Sequence, residues 1–203
     1  MMQFIFDFFV AAVAAVFIEN TIFTRALGTS RMLSVVKSPR TMFKFSILLT
    51  CITTASGFFA WAANLIIRKW SFRLYIEPLT FVLVLILVYV IASVVLYFVF
   101  PNTYRKMSEI LLLAVFNCAS LGAILLPAHN SVISAEIGLS SWLGFSFGTG
   151  VAFFMATVLV FEGTRKLRAP HIPAPFRGLP ATLIYIGILS LAFYGLIGHE
   201  LPF

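Results

Sequence analysis

Long blocks of apolar residues with few polar interruptions dominate this chain. Phe45 to Ile67 contains no charged residue, and neither does Leu79 to Phe100. Ile110 to Leu126, Ile137 to Phe161 and Leu179 to Gly198 are uncharged as well. A sixth block, near Phe4 to Thr24, carries Asp7 close to its start and Glu19 inside it. About 20 consecutive apolar residues are what a helix needs to cross the hydrocarbon core of a bilayer. The pattern therefore predicts an all-α integral membrane protein with six transmembrane helices.

Composition agrees. Of 203 residues, 61% are hydrophobic and 10% charged, with a mean hydropathy of +1.05. Soluble domains run nearer 45–50% apolar and roughly 25% charged, so a soluble fold is excluded. The N-terminus has no basic region ahead of its apolar run, which predicts a retained first helix and no cleaved leader. The loops are too short to hold a soluble domain. Pro101 and Asn102 are expected to close the third helix and Pro127 the fourth. The one proline-rich segment, RAPHIPAPFRGLP at 168–180, reads as a stiff extended linker, or as a docking surface that uses Phe176 and Arg177.

A net charge of +7 would suit a nucleic-acid partner, but the positions of the charges argue otherwise. Arg25, Arg31, Lys37, Arg40 and Lys44 follow the first helix. Arg105 and Lys106 follow the third, and Arg165, Lys166, Arg168 and Arg177 the fifth. Six crossings put these three loops on one side, with only Arg68, Lys69 and Arg73 on the other. The positive-inside rule then places the basic loops in the cytoplasm and both termini outside. The excess charge is topology, and no nucleic acid is required.

The chain divides into similar halves, about 1–103 and 104–203, each opening on a helix that polar residues interrupt. In FIENTIFTRALGTS, Glu19 and Asn20 precede Leu27 and Gly28; in FNCASLG, Asn117 and Cys118 precede Leu121 and Gly122. Three helices per half is an odd number, so the halves must lie upside down to each other. Interrupted segments at corresponding places point to an inverted repeat with its site near mid-membrane.

Few residues can carry chemistry. A carboxylate well inside a bilayer costs on the order of 2.5–3.5 kcal/mol on insertion scales, which makes Glu19 a candidate for binding a cation or relaying a proton. An ion pair with Arg25 near the helix end would explain it equally well. Asn20 and Asn117 can satisfy backbone freed at a helix break, and Gly28 and Gly122 permit such breaks or close packing. Cys118 fits tight packing as readily as metal binding, since cysteine behaves as a small hydrophobe. Cys51 sits in a plain apolar run with Thr50, Thr53 and Thr54. An iron–sulfur cluster generally takes four thiolates, so two cysteines would require another subunit. No Ser/His/Asp set, phosphate loop or zinc spacing occurs, and His129, His171 and His199 fall in expected loops or at the end.

NCASLG at 117–122, IPAPFRG at 172–178 and the spacing from Asn20 to Leu27–Gly28 resemble the membrane subunits of the Rnf and Na⁺-pumping Nqr complexes, nearest to the RnfA/NqrE type. The resemblance covers essentially the whole chain. It implies a subunit of an ion-translocating electron-transport complex in the inner (cytoplasmic) membrane of a bacterial cell, inactive alone. It also implies an RnfE-like inverted mate that shares a two-iron, two-sulfur cluster at the membrane centre, coupling electron transfer to Na⁺ or H⁺ movement. Each mate would contribute two cysteines. Cys118 matches the fourth-helix ligand, whereas the first-helix ligand position, two residues after the Leu–Gly pair, is Ser30. A hydroxyl ionises far less readily than a thiol, so Ser30 would alter a cluster's potential or mark a cluster-free structural paralogue. A small secondary transporter using Glu19 is the rival from another class.

Overall fold

The computed structural model describes residues 2–36, 38–70, 72–99, 101–133, 138–167, 173 and 176–197. These form helices α1 (Met2–Phe17), α2 (Thr29–Val35), α3 (Pro39–Ile67), α4 (Arg73–Val99), α5 (Pro101–Val115), α6 (Cys118–Ile133), α7 (Leu139–Lys166) and α8 (Leu179–Ile197), with no strand among the described residues. Four stretches are long and apolar enough to cross a membrane: Pro39–Ile67, Arg73–Val99, Met107–His129 and Leu139–Lys166. The third of these runs through the junction of α5 and α6. At 1.5 Å per residue α1 is only about 24 Å long, short of a hydrocarbon core of roughly 30 Å.

Helix α7 organises the bundle because its glycines let backbones touch. Lipid tails are as apolar as the helices, so association in a bilayer depends on close packing. A Cβ on Gly144 would strike the Phe8 backbone, and one on Gly148 would lie 2.5 Å from the Ala12 carbonyl oxygen. Since Phe8 and Ala12 step along α1 as Gly144 and Gly148 step along α7, the two helices run parallel. Gly150 gives the same clearance to Thr50 of α3, where an added Cβ would be 2.5 Å from the Thr50 Cα. Lower on α7, Gly163 receives the Tyr185 ring of α8, whose hydroxyl donates to the Leu159 carbonyl at 3.3 Å. Around this frame the buried core gathers Phe45, Leu49, Phe81, Trp142 and Phe153. Phe81 meets Trp142 edge to face at 6.3 Å between ring centres, and Phe45 meets Phe153 at 5.5 Å.

Two sequence expectations are corrected. Pro127 does not close its helix: α6 continues to Ile133 and carries His129 on the helix, not in a loop. Pro127 removes one N–H and so frees the Ala123 carbonyl, and the Ser146 hydroxyl of α7 donates to that oxygen at 3.3 Å. A neighbouring hydroxyl is one way a proline is tolerated at membrane depth. Pro101 follows the end of α4 at Val99, as expected, and opens α5 at its first position, where a proline costs no hydrogen bond. His171, His199 and most of the 168–175 segment lie outside the described residues.

A polar clasp ties one end of the bundle together. Arg73 at the start of α4 donates to the Ala128 carbonyl of α6 at 3.3 Å and to Asn64 Oδ1 of α3 at 3.5 Å. It also pairs with Glu77 at 3.6 Å, with both side chains mostly buried. Sequence reasoning missed Glu77, because the apolar block was read as starting at Leu79.

The glycine contacts are testable by thermal unfolding of the detergent-solubilised protein. Gly148→Ala puts a methyl against the α1 backbone and is expected to destabilise by about 1–3 kcal/mol, the usual range for overpacking. Gly187→Ala, on α8 with nothing within 4 Å of the new Cβ, is expected to be neutral or to stabilise by up to roughly 1 kcal/mol through the backbone entropy of glycine. Equal effects at the two sites would contradict the packing described.

Candidate functional site

Both interrupted helices are broken where the sequence places the polar residues. After Phe17 the chain leaves α1, and Ile18 N–H and Glu19 N–H both donate to the Ala14 carbonyl, at 2.8 and 2.9 Å. Asn20 is fully buried and clasps both sides of this break. Its Nδ2 donates to the Val16 carbonyl at 3.0 Å, while its Oδ1 accepts from Ile22 N–H at 3.1 Å and Phe23 N–H at 3.2 Å. One side chain thereby satisfies the end of α1 and the start of the next turn. Leu27 N–H then donates to the Thr21 carbonyl at 2.8 Å. Ala26 (φ 56°) and Gly28 (φ 86°) adopt left-handed backbone and turn the chain into α2.

The second break is tighter. Helix α5 ends at Val115 and α6 begins at Cys118, with only Phe116 and Asn117 between. Asn117 is buried; its Oδ1 accepts from Ala119 N–H at 3.4 Å and its carbonyl from Leu121 N–H at 3.1 Å. The Ser120 hydroxyl reaches back across the break to the Ala114 carbonyl at 2.6 Å. Sequence reasoning did not single out Ser120, although a small polar residue three positions after Asn117 in an apolar run is a usable signal.

The two breaks meet. A Cβ on Gly28 would lie 3.0 Å from Ala119 Cβ and 3.3 Å from Asn117 Oδ1. A Cβ on Gly122 would lie 2.7 Å from Leu27 Cδ1 and 3.9 Å from Thr21 Cγ2. The glycine of each break thus receives side chains from the other, and Asn20, Gly28, Asn117 and Gly122 belong to one junction. Aromatic contacts anchor it on both sides. Phe23 stacks on Phe193 of α8 at 4.7 Å, and Phe116 packs on Tyr89 of α4 at 5.9 Å.

The chemistry-bearing side chains look outward from this junction. Cys118, the first residue of α6, is exposed, as are Leu112 and Phe116 on the preceding turns. Ser30, two residues after Gly28, is exposed on α2. The described residues contain no group of three or more His, Cys, Asp or Glu side chains able to hold a metal. One thiolate and one hydroxyl are part of a donor set, and a two-iron cluster takes four thiolate positions. The thiol suits that role, but Cys118 and Ser30 do not make up such a set by themselves. Cys51 lies elsewhere, in an apolar groove with Thr54, Phe58 and Phe147. Glu19 pairs with Arg25 at 3.8 Å in the first break, with its side chain 28% exposed.

Residues 8–199 match the family described as "Rnf-Nqr subunit, membrane protein". The chain is 32% identical over 195 residues to the A-type subunit of the ion-translocating oxidoreductase complex from Edwardsiella ictaluri, covering 95% of this chain and 97% of that protein. Proteins of the same description from Yersinia pseudotuberculosis and Yersinia enterocolitica are each 31% identical over the same shares.

The clasp geometry sets an order of effects. Asn20→Ala leaves two buried backbone N–H groups and one partly buried carbonyl without their partner, and each buried orphan costs about 1–3 kcal/mol. Asn117→Ala removes one longer bond and is expected to cost less. Thr29→Ala removes an exposed hydroxyl bond to the Ala26 carbonyl and is expected to stay within about 0.5 kcal/mol. Thermal melts in detergent rank the three; Thr29→Ala matching Asn20→Ala would refute the clasp.

Proposed function

The chain belongs to the Rnf-Nqr family of membrane subunits, and on that premise we propose that it is the A-type membrane subunit of an ion-translocating oxidoreductase complex. Its architecture would be an inverted repeat of six crossings: α1 with α2, α3 and α4, then α5 with α6, α7 and α8. Matching lengths support this, with 16 and 15 residues ahead of the two breaks and 29 and 28 in α3 and α7. The aromatic anchors also correspond, since the first break stacks on the last helix of the second half and the second break on the last helix of the first. The basic loops would face the cytoplasm, with both termini outside, in a bacterial inner membrane.

The observation that carries the functional reading is an exposed thiol at the joint of two broken helices. Cys118 would be one ligand of a two-iron, two-sulfur cluster, with the hydroxyl of Ser30 at the neighbouring position and the other donors on an RnfE-like inverted mate. Such a cluster, when bound, supplies one-electron transfer at mid-membrane. This chain's part is positional. Asn20, Asn117 and Ser120 hold the joint rigid, the two glycines bring its halves together, and Phe116 and Leu112 present an apolar collar for the mate. Ser30 is also what favours a second reading, a cluster-free protein that only completes the assembly. Glu19 would offer the moving cation a carboxylate at the first break, with Arg25 as its resting partner.

Iron and acid-labile sulfide, measured on the co-purified complex, test this. Cys118→Ala is expected to remove one cluster's iron and to cut electron transfer through the complex by at least about tenfold, the loss of a required relay. Ser30→Cys is expected to keep the iron and shift the cluster's reduction potential. Unchanged iron and electron transfer in Cys118→Ala would end the relay role and leave the structural reading.

A further inference from the structure

At the basic end of the bundle, three helix ends surround a cleft of about 770 Å³. The α2–α3 turn, the last turn of α7 and the first turn of α8 form its walls. We propose that this cleft binds the headgroup of an anionic phospholipid. Arg165 and Arg177 line it, and Leu33, Val36 and Phe161 supply apolar surface beside them. Guanidinium on apolar walls at the ends of membrane helices matches a lipid whose phosphate sits at the interface and whose acyl chains run down the bundle.

Two local features set the arginines in place. The Arg165 guanidinium lies 5.7 Å from the centre of the Phe161 ring, so a cleft wall carries it. Its ion pair with Glu162, at 3.2 Å, is exposed on both sides. Exposed pairs hold weakly against water and salt, so a phosphate can recruit the guanidinium. Arg177 precedes Gly178, whose carbonyl accepts from Thr182 N–H at 3.1 Å and from the Thr182 hydroxyl at 2.9 Å. Those bonds fasten the start of α8 and with it the rim that bears Arg177. A protein partner fits less well, because the cleft opens at the ends of helices that lipid surrounds.

The inference needs only a membrane around the bundle and is independent of any cluster, so the two readings fail separately. Purified full-length chain in neutral detergent is titrated with phosphatidylglycerol, with phosphatidylcholine and with inorganic phosphate, reading bound lipid by native mass spectrometry. The Arg165→Gln/Arg177→Gln variant is compared with Arg40→Gln/Lys44→Gln, which removes the same charge from exposed positions on the first turns of α3 outside the cleft. Phosphatidylglycerol is expected to bind in preference to phosphatidylcholine. Affinity is expected to fall about fivefold for each cleft arginine removed and to change less than about twofold in the control pair. Both variants have exposed substitutions and are expected to melt as the parent does. Equal losses in the two variants would overturn the site in favour of diffuse surface charge. Displacement of the lipid by millimolar inorganic phosphate would reassign the cleft to a soluble phosphate. No preference for phosphatidylglycerol, with failed complex assembly in the cleft variant, would reassign it to an acidic protein partner.

Discussion

Hydrocarbon cannot hydrate a peptide group, and that constraint shapes the structure. Any helix that breaks inside a bilayer exposes carbonyls and N–H groups that water would otherwise satisfy, at a cost of several kcal/mol each. This chain breaks two helices and meets the cost from within. Asn20 bridges three backbone groups, Asn117 caps α6, and Ser120 closes across the gap to Ala114. The breaks then pack against each other, and glycine suits both positions: Gly28 takes a left-handed φ of 86° beside Ala119, and Gly122 leaves room for the tip of Leu27.

The same logic explains why α7 is rich in small residues. With no hydrophobic gain from joining helices in lipid, affinity between them comes from contact area and hydrogen bonds. Gly144, Gly148, Gly150 and Gly163 give α7 three faces at which a neighbour can approach closely. At the far end a buried ion pair, Arg73 with Glu77, adds cross-links from α4 to α3 and α6. Such a pair recovers little net energy after desolvation. Its value here lies in joining three helices at defined positions.

A rigid joint is what a shared site needs. Ligands must be held to a fraction of an ångström, and side chains on helix ends are held better than side chains on loops. Cys118 occupies the first position of α6, directly after the residue that caps it, so the thiol inherits the joint's rigidity. Its outward exposure suits completion by another chain, in keeping with relatives named as subunits of a complex. Ser30 departs from the family resemblance, which implies a thiol at the position where this chain carries a hydroxyl.

Helical class, membrane residence and the location of both breaks were legible in the sequence. They depend on local quantities, namely the length of apolar runs and the insertion of Glu19–Asn20 and Asn117–Cys118 into them. The expectation that Pro127 ends its helix failed for a non-local reason: the freed Ala123 carbonyl is met by Ser146, 23 residues further along the chain. Glu77 escaped notice likewise, since the groups it joins through Arg73 lie on α3 and α6, apart in sequence. Pairing of the two breaks, the outward direction of Cys118 and the arginine-lined cleft follow from how helices pack. The sequence by itself determined which segments must leave water and where their backbone is interrupted, because transfer free energy is summed residue by residue. Only the tertiary structure decided which interruption answers which, because a hydrogen bond or a glycine contact exists only once two distant segments lie within a few ångströms.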